Sequence, residues 1–353
     1  MIYKIKEHDA NHYPAMRARG FSLVELMVAI TLGLIILAAV SAIFVNSKRS
    51  YSTQDRLARL QENARFAMQF ITRDLRMAGY SGCAKDISNI NNTLNNSASF
   101  TYSANVPIEG IDNAASGAAA WSPSAYVSGL TNINPNTDAI AIRMADPSQV
   151  VSISTAMQNT TDALTLSSAS NFTKDNIIIV SDCDNADVLQ ISSINSSSLL
   201  HATGGSSPGN STQTLSKPYD TAAKVMMFHT LVYYVKNRTD GTPALYKVDN
   251  GAEQELVEGV ESLQATYGVD TDSPSDGIPN LYLRAGEAGL TTAAQWAAVK
   301  SIRIGILVRA PNDKDAEPDI HLSYDVNGYA FNVPAGDRYQ RRVFLTTIQV
   351  RNM

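Results

Sequence analysis

The chain reads as an α+β protein: a long N-terminal α-helix, first wholly apolar and then amphipathic, packed on a mainly antiparallel β-sheet head with long loops. Three observations predict this. Residues 21–45 carry one ionisable side chain, Glu25. Residues 46–79 contain no proline, and no glycine before Gly79, so nothing interrupts the helix. From 138 onward, short β-branched runs alternate with clusters of Gly, Asn, Asp and Ser. Four segments follow: 1–20 ahead of the apolar run, 21–45 as a membrane-spanning helix, 46–79 as its amphipathic continuation, and 80–353 as the β-rich head.

The apolar segment from Phe21 to Val45 forms a helix of roughly 37 Å at ~1.5 Å per residue, enough to cross a ~30 Å hydrocarbon core. A carboxylate at mid-bilayer costs on the order of 3 kcal/mol, so Glu25 marks a functional position, at a lower cost near the end of the span. Arg17 and Arg19 ahead of the run predict the N-terminus inside and the remainder outside the cytosol. A plain single-pass anchor explains the apolarity and leaves Glu25 unexplained. A secretory signal, with Val40-Ser41-Ala42 as its cleavage site, needs a leader of 42 residues with a glutamate in its apolar part. A buried core helix fits poorly with a run this long, closed by Lys48 and Arg49.

The run Arg17-Ala18-Arg19-Gly20-Phe21-Ser22-Leu23-Val24-Glu25-Leu26, with its apolar continuation, resembles the type IV prepilin signature. The resemblance implies a type IV pilin-like fold and a membrane aspartyl peptidase, the prepilin peptidase, that cuts between Gly20 and Phe21. That enzyme then methylates Phe21, and Glu25 becomes the fifth residue of the mature chain. Elementary chemistry agrees with this reading. Gly20 offers extended backbone without a side chain to clash with a protease. In a bundle of such helices, Glu25 set against a neighbour's Phe21 amine neutralises two charges that would each be costly to bury alone.

Charge constrains the remainder. The formal balance is 28 − 33 = −5, and loss of a leader holding four basic and two acidic residues makes it 24 − 31 = −7. A mildly acidic mature protein argues against general nucleic-acid binding. Charged residues make up 17% of the chain while Ser, Thr, Asn and Gly are plentiful, which suits a secreted surface protein. Two cysteines, Cys83 and Cys183, form one disulfide if the head lies in an oxidising compartment, and are otherwise two free buried thiols.

Along the amphipathic segment, Leu57, Leu60, Ala64, Ala67, Ile71, Leu75 and Ala78 define one apolar stripe, and Gly79 is a stop signal. Residues 80–136 read as a long connection. Strands are expected at 138–144, 149–154, 163–167, 176–181 and 187–194, followed by an exposed loop over 192–216. Further strands are expected at 225–236, 244–248, 256–267, 299–309 and 342–350, with a short helix over 291–298 led by a threonine cap. In 299–309, Ile302, Ile304, Ile306 and Val308 point one way, and Arg303, Leu307 and Arg309 the other.

The run 256–270, Trp296 ahead of Val299-Lys300-Ser301-Ile302-Arg303-Ile304, and the closing Arg341-Arg342-Val343-Phe344 with Arg351-Asn352 are similar to PilW-type minor pilins and the related J-type minor pseudopilins. Gly79-Tyr80-Ser81-Gly82-Cys83 and Val180-Ser181-Asp182-Cys183 share the PilW likeness. The resemblance implies a minor pilin of the pilus initiation or tip complex, sited in the inner membrane with its head in the periplasm and at the pilus tip after assembly. Its implied partners are prepilin peptidase, other minor pilins, the major pilin, the inner-membrane assembly platform and a tip adhesin. The alternatives are a minor pseudopilin of a type II secretion system, and a tip subunit that binds a surface or DNA.

Asp270, Asp272 and Asp276 lie in an oxygen-rich run that ends on Gly277 and resembles a calcium loop. It departs from the EF-hand pattern, with proline at the fifth position and no closing glutamate, and the same residue types make an ordinary exposed turn. Calcium is therefore the one cofactor for which the sequence offers ligands. No catalytic constellation, phosphate loop or dinucleotide fingerprint is present, so the chain is read as no enzyme. Arg303, Arg309, Arg338, Arg341, Arg342 and Arg351, with Tyr339, make the C-terminal region locally basic: a DNA contact or, more simply, a solvated sheet face.

Overall fold

A computed structural model describes residues 20–84, 90–97, 102–113, 133–310 and 318–352. The leader's basic residues Lys4, Lys6, Arg17 and Arg19 lie outside that set. The chain divides into two compact units, one ending at Asp55 and one beginning at Arg56.

Helix α1 (Leu23–Met77) is 55 residues long and contributes to both units. In the first unit every residue from Gly20 to Tyr51 is exposed, including the whole apolar run. In the second, α1 buries Arg56, Leu60, Ala64, Ala67, Ile71, Asp74 and Leu75. The expected stripe is shifted at its start: it continues by a four-residue step to Arg56, leaving Leu57 37% exposed. At its end the stripe admits Asp74, which hydropathy alone assigns to a polar face. Gly79 stops the helix in a left-handed conformation (φ +74°), where a Cβ would fall 2.4 Å from the Asn352 carbonyl oxygen. The Asn352 side-chain amide donates to the Ala78 and Arg76 carbonyls at 3.2 and 3.5 Å, so the C-terminal tail caps the helix.

The first sheet contains β1 (Ile90–Asn92), β2 (Ile108–Ile111), β3 (Ala139–Ala145), β4 (Val151–Thr155), β5 (Leu164–Leu166) and β6 (Ile177–Ser181). It is completed by β7 (Ala186–Gln190), β8 (Ser193–Asn195), β9 (Ser198–Leu200), β10 (Lys224–Asn237), β11 (Pro243–Asp249) and β12 (Ala252–Glu258). The 14-residue β10 organises it: residues 224–227 pair with β6, and residues 228–237 with β3 and β11. Pairing is antiparallel except between β1 and β7.

The second sheet runs β14 (Leu281–Leu283), β13 (Val260–Val269), β15 (Val299–Arg309), β18 (Arg341–Gln349). A hairpin of β16 (Ser323–Val326) and β17 (Tyr329–Asn332) meets it through Asn327, whose amide donates to the Arg303 carbonyl at 3.1 Å. A short helix, α2 (Ala293–Ala297), precedes β15 with Thr292 and Gln295 as a capping box.

The largest core cluster joins the buried face of α1 to β13, β15 and β18 and to one face of β2, β3 and β10. Ile302, Ile304, Ile306 and Val308 all enter it, as alternation requires. Two differences from the sequence expectation concern strands of three or four residues. Strands β1 and β2 lie in what reads as connection, and β8 and β9 in what reads as loop; each is held by partners far along the chain or by a tight hairpin. A third difference is the expected strand 256–267, which breaks at Gly259: there φ is +81° and a Cβ would fall 2.7 Å from the Arg309 carbonyl oxygen. The break lets β12 stay with the first sheet while β13 joins the second.

Candidate functional site

Gly20 precedes the helix in irregular, exposed backbone, with open space where a Cβ would sit. Phe21 is 82% exposed. Ser22 and Glu25 bond reciprocally: the Glu25 amide donates to Ser22 Oγ at 3.1 Å, and the Ser22 amide to Glu25 Oε2 at 3.3 Å. This capping box satisfies amides at the start of α1 that would otherwise lack partners in an apolar medium. Glu25 therefore has a local use within its own helix, which the sequence argument did not give it.

Cys83 and Cys183 are joined by a disulfide with Cα atoms 4.5 Å apart, closing a loop of sequence separation 100. It ties the segment just after the helix to the turn between β6 and β7.

The carboxylates of Asp270, Asp272 and Asp276 come within 4.8 Å of one another. Asp270 is buried and the other two are exposed. Asp270 Oδ2 accepts from Ser275 Oγ at 2.5 Å and the Gly277 amide at 2.7 Å, and its Oδ1 accepts from the Asp272 amide at 3.0 Å. The Ser275 hydroxyl foremost, with those amides, holds the Asp270 carboxyl below the usual carboxylate range. The oxygens are of the kind calcium takes, yet the loop's own donors already close it, which accounts for the acids without an ion.

The locally basic C-terminal region is neutralised in part. Arg341, its side chain 1% exposed, binds Glu261 at 2.6 Å, Asp337 at 2.8 Å and Asp319 at 3.3 Å. Arg309 shares Glu261 at 3.4 Å and lies 4.0 Å over the Tyr339 ring. Burial opposes the charged forms, but the bonds from His321, Tyr324 and Arg341 keep the Asp319 carboxyl below its ordinary range. Two of the six arginines are thereby committed to pinning the C-terminal segments together, while Arg303 caps the Tyr282 ring at 4.2 Å.

Sequence reading also missed the bond that fixes α1 against the head. Tyr233 Oη donates to Asp74 Oδ2 at 2.5 Å inside the largest core cluster, and Arg73 Nε donates to the same carboxylate at 2.9 Å. A polar pair split between a helix and a strand 159 residues apart leaves no local signature.

Residues 15–41 match the family model of the prokaryotic N-terminal methylation motif, and residues 232–352 match that of type IV pilus-assembly protein W. No curated protein matches. Among solved structures, a type IV-like pilin from Thermus thermophilus is similar over 83% of this chain and 96% of its own, at 12% identity and a TM-score of 0.34.

Proposed function

We propose that the chain, whose residues 232–352 match the family model of type IV pilus-assembly protein W, is a minor pilin of the complex that starts or caps a type IV pilus. The matched family models are those of pilus-assembly proteins, which supports a structural subunit rather than an enzyme. The observation that carries the reading is the order of parts on one helix: a methylation motif, a wholly exposed apolar run, then a stripe that builds the head's core. Prepilin peptidase removes residues 1–20, the apolar run holds the subunit in the inner membrane, and the head waits in the periplasm. An oxidising compartment there agrees with the Cys83–Cys183 bond.

In the assembled complex Glu25 leaves its capping role. Cleavage frees the Phe21 amine, and pairing a neighbour's amine with Glu25 relieves two charges that an apolar core would otherwise penalise. The partners are then other minor pilins, the major pilin and the assembly platform. The test has two stages. Mass spectrometry of the protein from cells should give Phe21, methylated, as the first residue. Deletion should strip cells of surface pili; undiminished pili together with a secretion defect would favour the type II secretion alternative.

A further inference from the structure

Strand β18 is the outer edge of the second sheet and pairs with β15 alone. The Val350 amide donates to the Lys300 carbonyl, and the Ala310 amide to the Gln340 carbonyl. With the observed register, these bonds fix which residues face β15: even-numbered positions of β18 bond inward. Val343, Leu345, Thr347 and Gln349 therefore turn their amides and carbonyls outward, and among the described residues nothing pairs with them. The strand keeps its register over nine residues without a bulge or proline. Proteins ordinarily blunt such an edge.

Beside this edge runs a groove. Its floor is the flank of α1, with half-buried Met68 next to Phe344 and Leu345 of the strand, and a volume of about 470 Å³. It continues past Gln69 and Thr72 into a second hollow of about 600 Å³, walled by Arg73, Arg76 and Arg351. From Gln61 to Tyr80 the helix flank spans roughly 28 Å, close to the ~30 Å of a nine-residue strand. With Arg65 in the first hollow, four guanidinium groups line the groove and no carboxylate does.

We propose that this groove is a strand-docking site: an extended, acidic segment of a partner protein adds to the β18 edge, its α1-facing side chains apolar against Met68 and Phe344 at one end and acidic toward Arg76 and Arg351 at the other. The occupant follows from three features: an unpaired edge asks for backbone, an apolar floor at one end for apolar side chains, and an all-cationic wall at the other for acids. The proposal goes beyond the minor-pilin reading and does not depend on leader processing, so its outcome is separate from the N-terminal test.

The experiment uses the full chain in detergent micelles and a labelled peptide as long as the nine residues of β18, with valine at the α1-facing positions of one half, glutamate at those of the other and threonine between, and fluorescence polarisation as the readout. Saturable binding is expected. A peptide N-methylated at every second amide keeps its side chains but loses its donors, and should bind at least about tenfold more weakly. A lysine-for-glutamate peptide should also lose binding. Thr347→Pro removes an outward amide while sparing the β15 ladder, and should weaken binding by about the same tenfold with a cooperative melt retained. If that variant fails to fold, the N-methylated peptide and Leu345→Lys decide. Absent saturable binding, or equal binding of the N-methylated peptide, overturns the proposal. Self-association of the wild type that Leu345→Lys abolishes would replace the partner with a second copy of this chain.

Discussion

The bond between Asp74 and Tyr233 makes the sharpest test of how the helix is held on the head. Asp74 is 2% exposed and Tyr233 0%, and both sit in the core cluster that α1 shares with the sheets. Asp74→Ala removes a charge-assisted bond, ~1.5–3 kcal/mol, and leaves the Tyr233 hydroxyl buried, for a further ~1–3 kcal/mol. Its remaining neighbour is the Phe70 carbonyl at 3.4 Å, a weak acceptor at that length. A total on the order of 4 kcal/mol is expected. Tyr233→Phe leaves Asp74 its bond from the exposed Arg73, so its cost should be about half as large. The double variant Asp74→Ala with Tyr233→Phe removes both polar partners together and should cost less than the sum of the single changes, with a coupling of about 2 kcal/mol. Urea melts of the full chain in detergent, followed by circular dichroism, give the three values. Additive single effects, or an Asp74→Ala cost under about 1 kcal/mol, would refute the argument that this pair is a buried, shared bond.

Four further outcomes are expected. Replacing Cys83 and Cys183 by serine, or adding reductant, should destabilise the head by up to ~4.7 kcal/mol on the chain-entropy model for a loop of sequence separation 100; a melting curve indifferent to reductant would contradict the bond. His229 Nδ1 lies 2.6 Å from Asp249, with Asp146 at 3.9 Å; burial lowers its pKa, but these carboxylates outweigh it and raise the group above its ordinary value of 6.5. A raised folded-state value means the stabilisation is full below pH 6.5 and is lost as pH rises through the folded pKa, so His229→Gln should flatten that part of the pH profile, and an NMR titration at or below 6.5 would reverse the sign. Arg341→Met leaves Glu261, Asp319 and Asp337 facing one another with Arg309 and His321 beside them, a loss of ~3–5 kcal/mol that should also expose the C-terminal hairpin to protease; resistance equal to wild type would count against the cluster as a clamp. Millimolar calcium should leave the melting temperature unchanged if the loop's own donors close the Asp270 turn, and a clear upward shift would assign Asp270, Asp272 and Asp276 to an ion.

What was legible in the sequence divides along a physical line. The methylation motif, the apolar run and most of the helical stripe are local patterns, and a peptidase or a membrane reads them as local patterns too. The long strands were legible because alternation is a property of the strand itself, as Ile302, Ile304 and Ile306 illustrate. The rest is set by partners distant in sequence. Strand β1 exists because β7 receives it, Asp74 is buried because Tyr233 answers it, and Arg341 is neutral in effect because Glu261, 80 residues away, is folded against it. Counting arginines therefore overstated the cationic character of the C-terminal region and missed where guanidinium groups gather around one hollow, along the flank of α1 and at Arg351. On the minor-pilin proposal, processing is encoded where it can be read from an unfolded chain, whereas contact between heads is encoded only once the head has folded. On that reading, a variant that fails at the first step should carry its lesion around Gly20 and Phe21, and one that is processed normally yet fails to assemble should carry it at Glu25, on the helix flank or on the β18 edge.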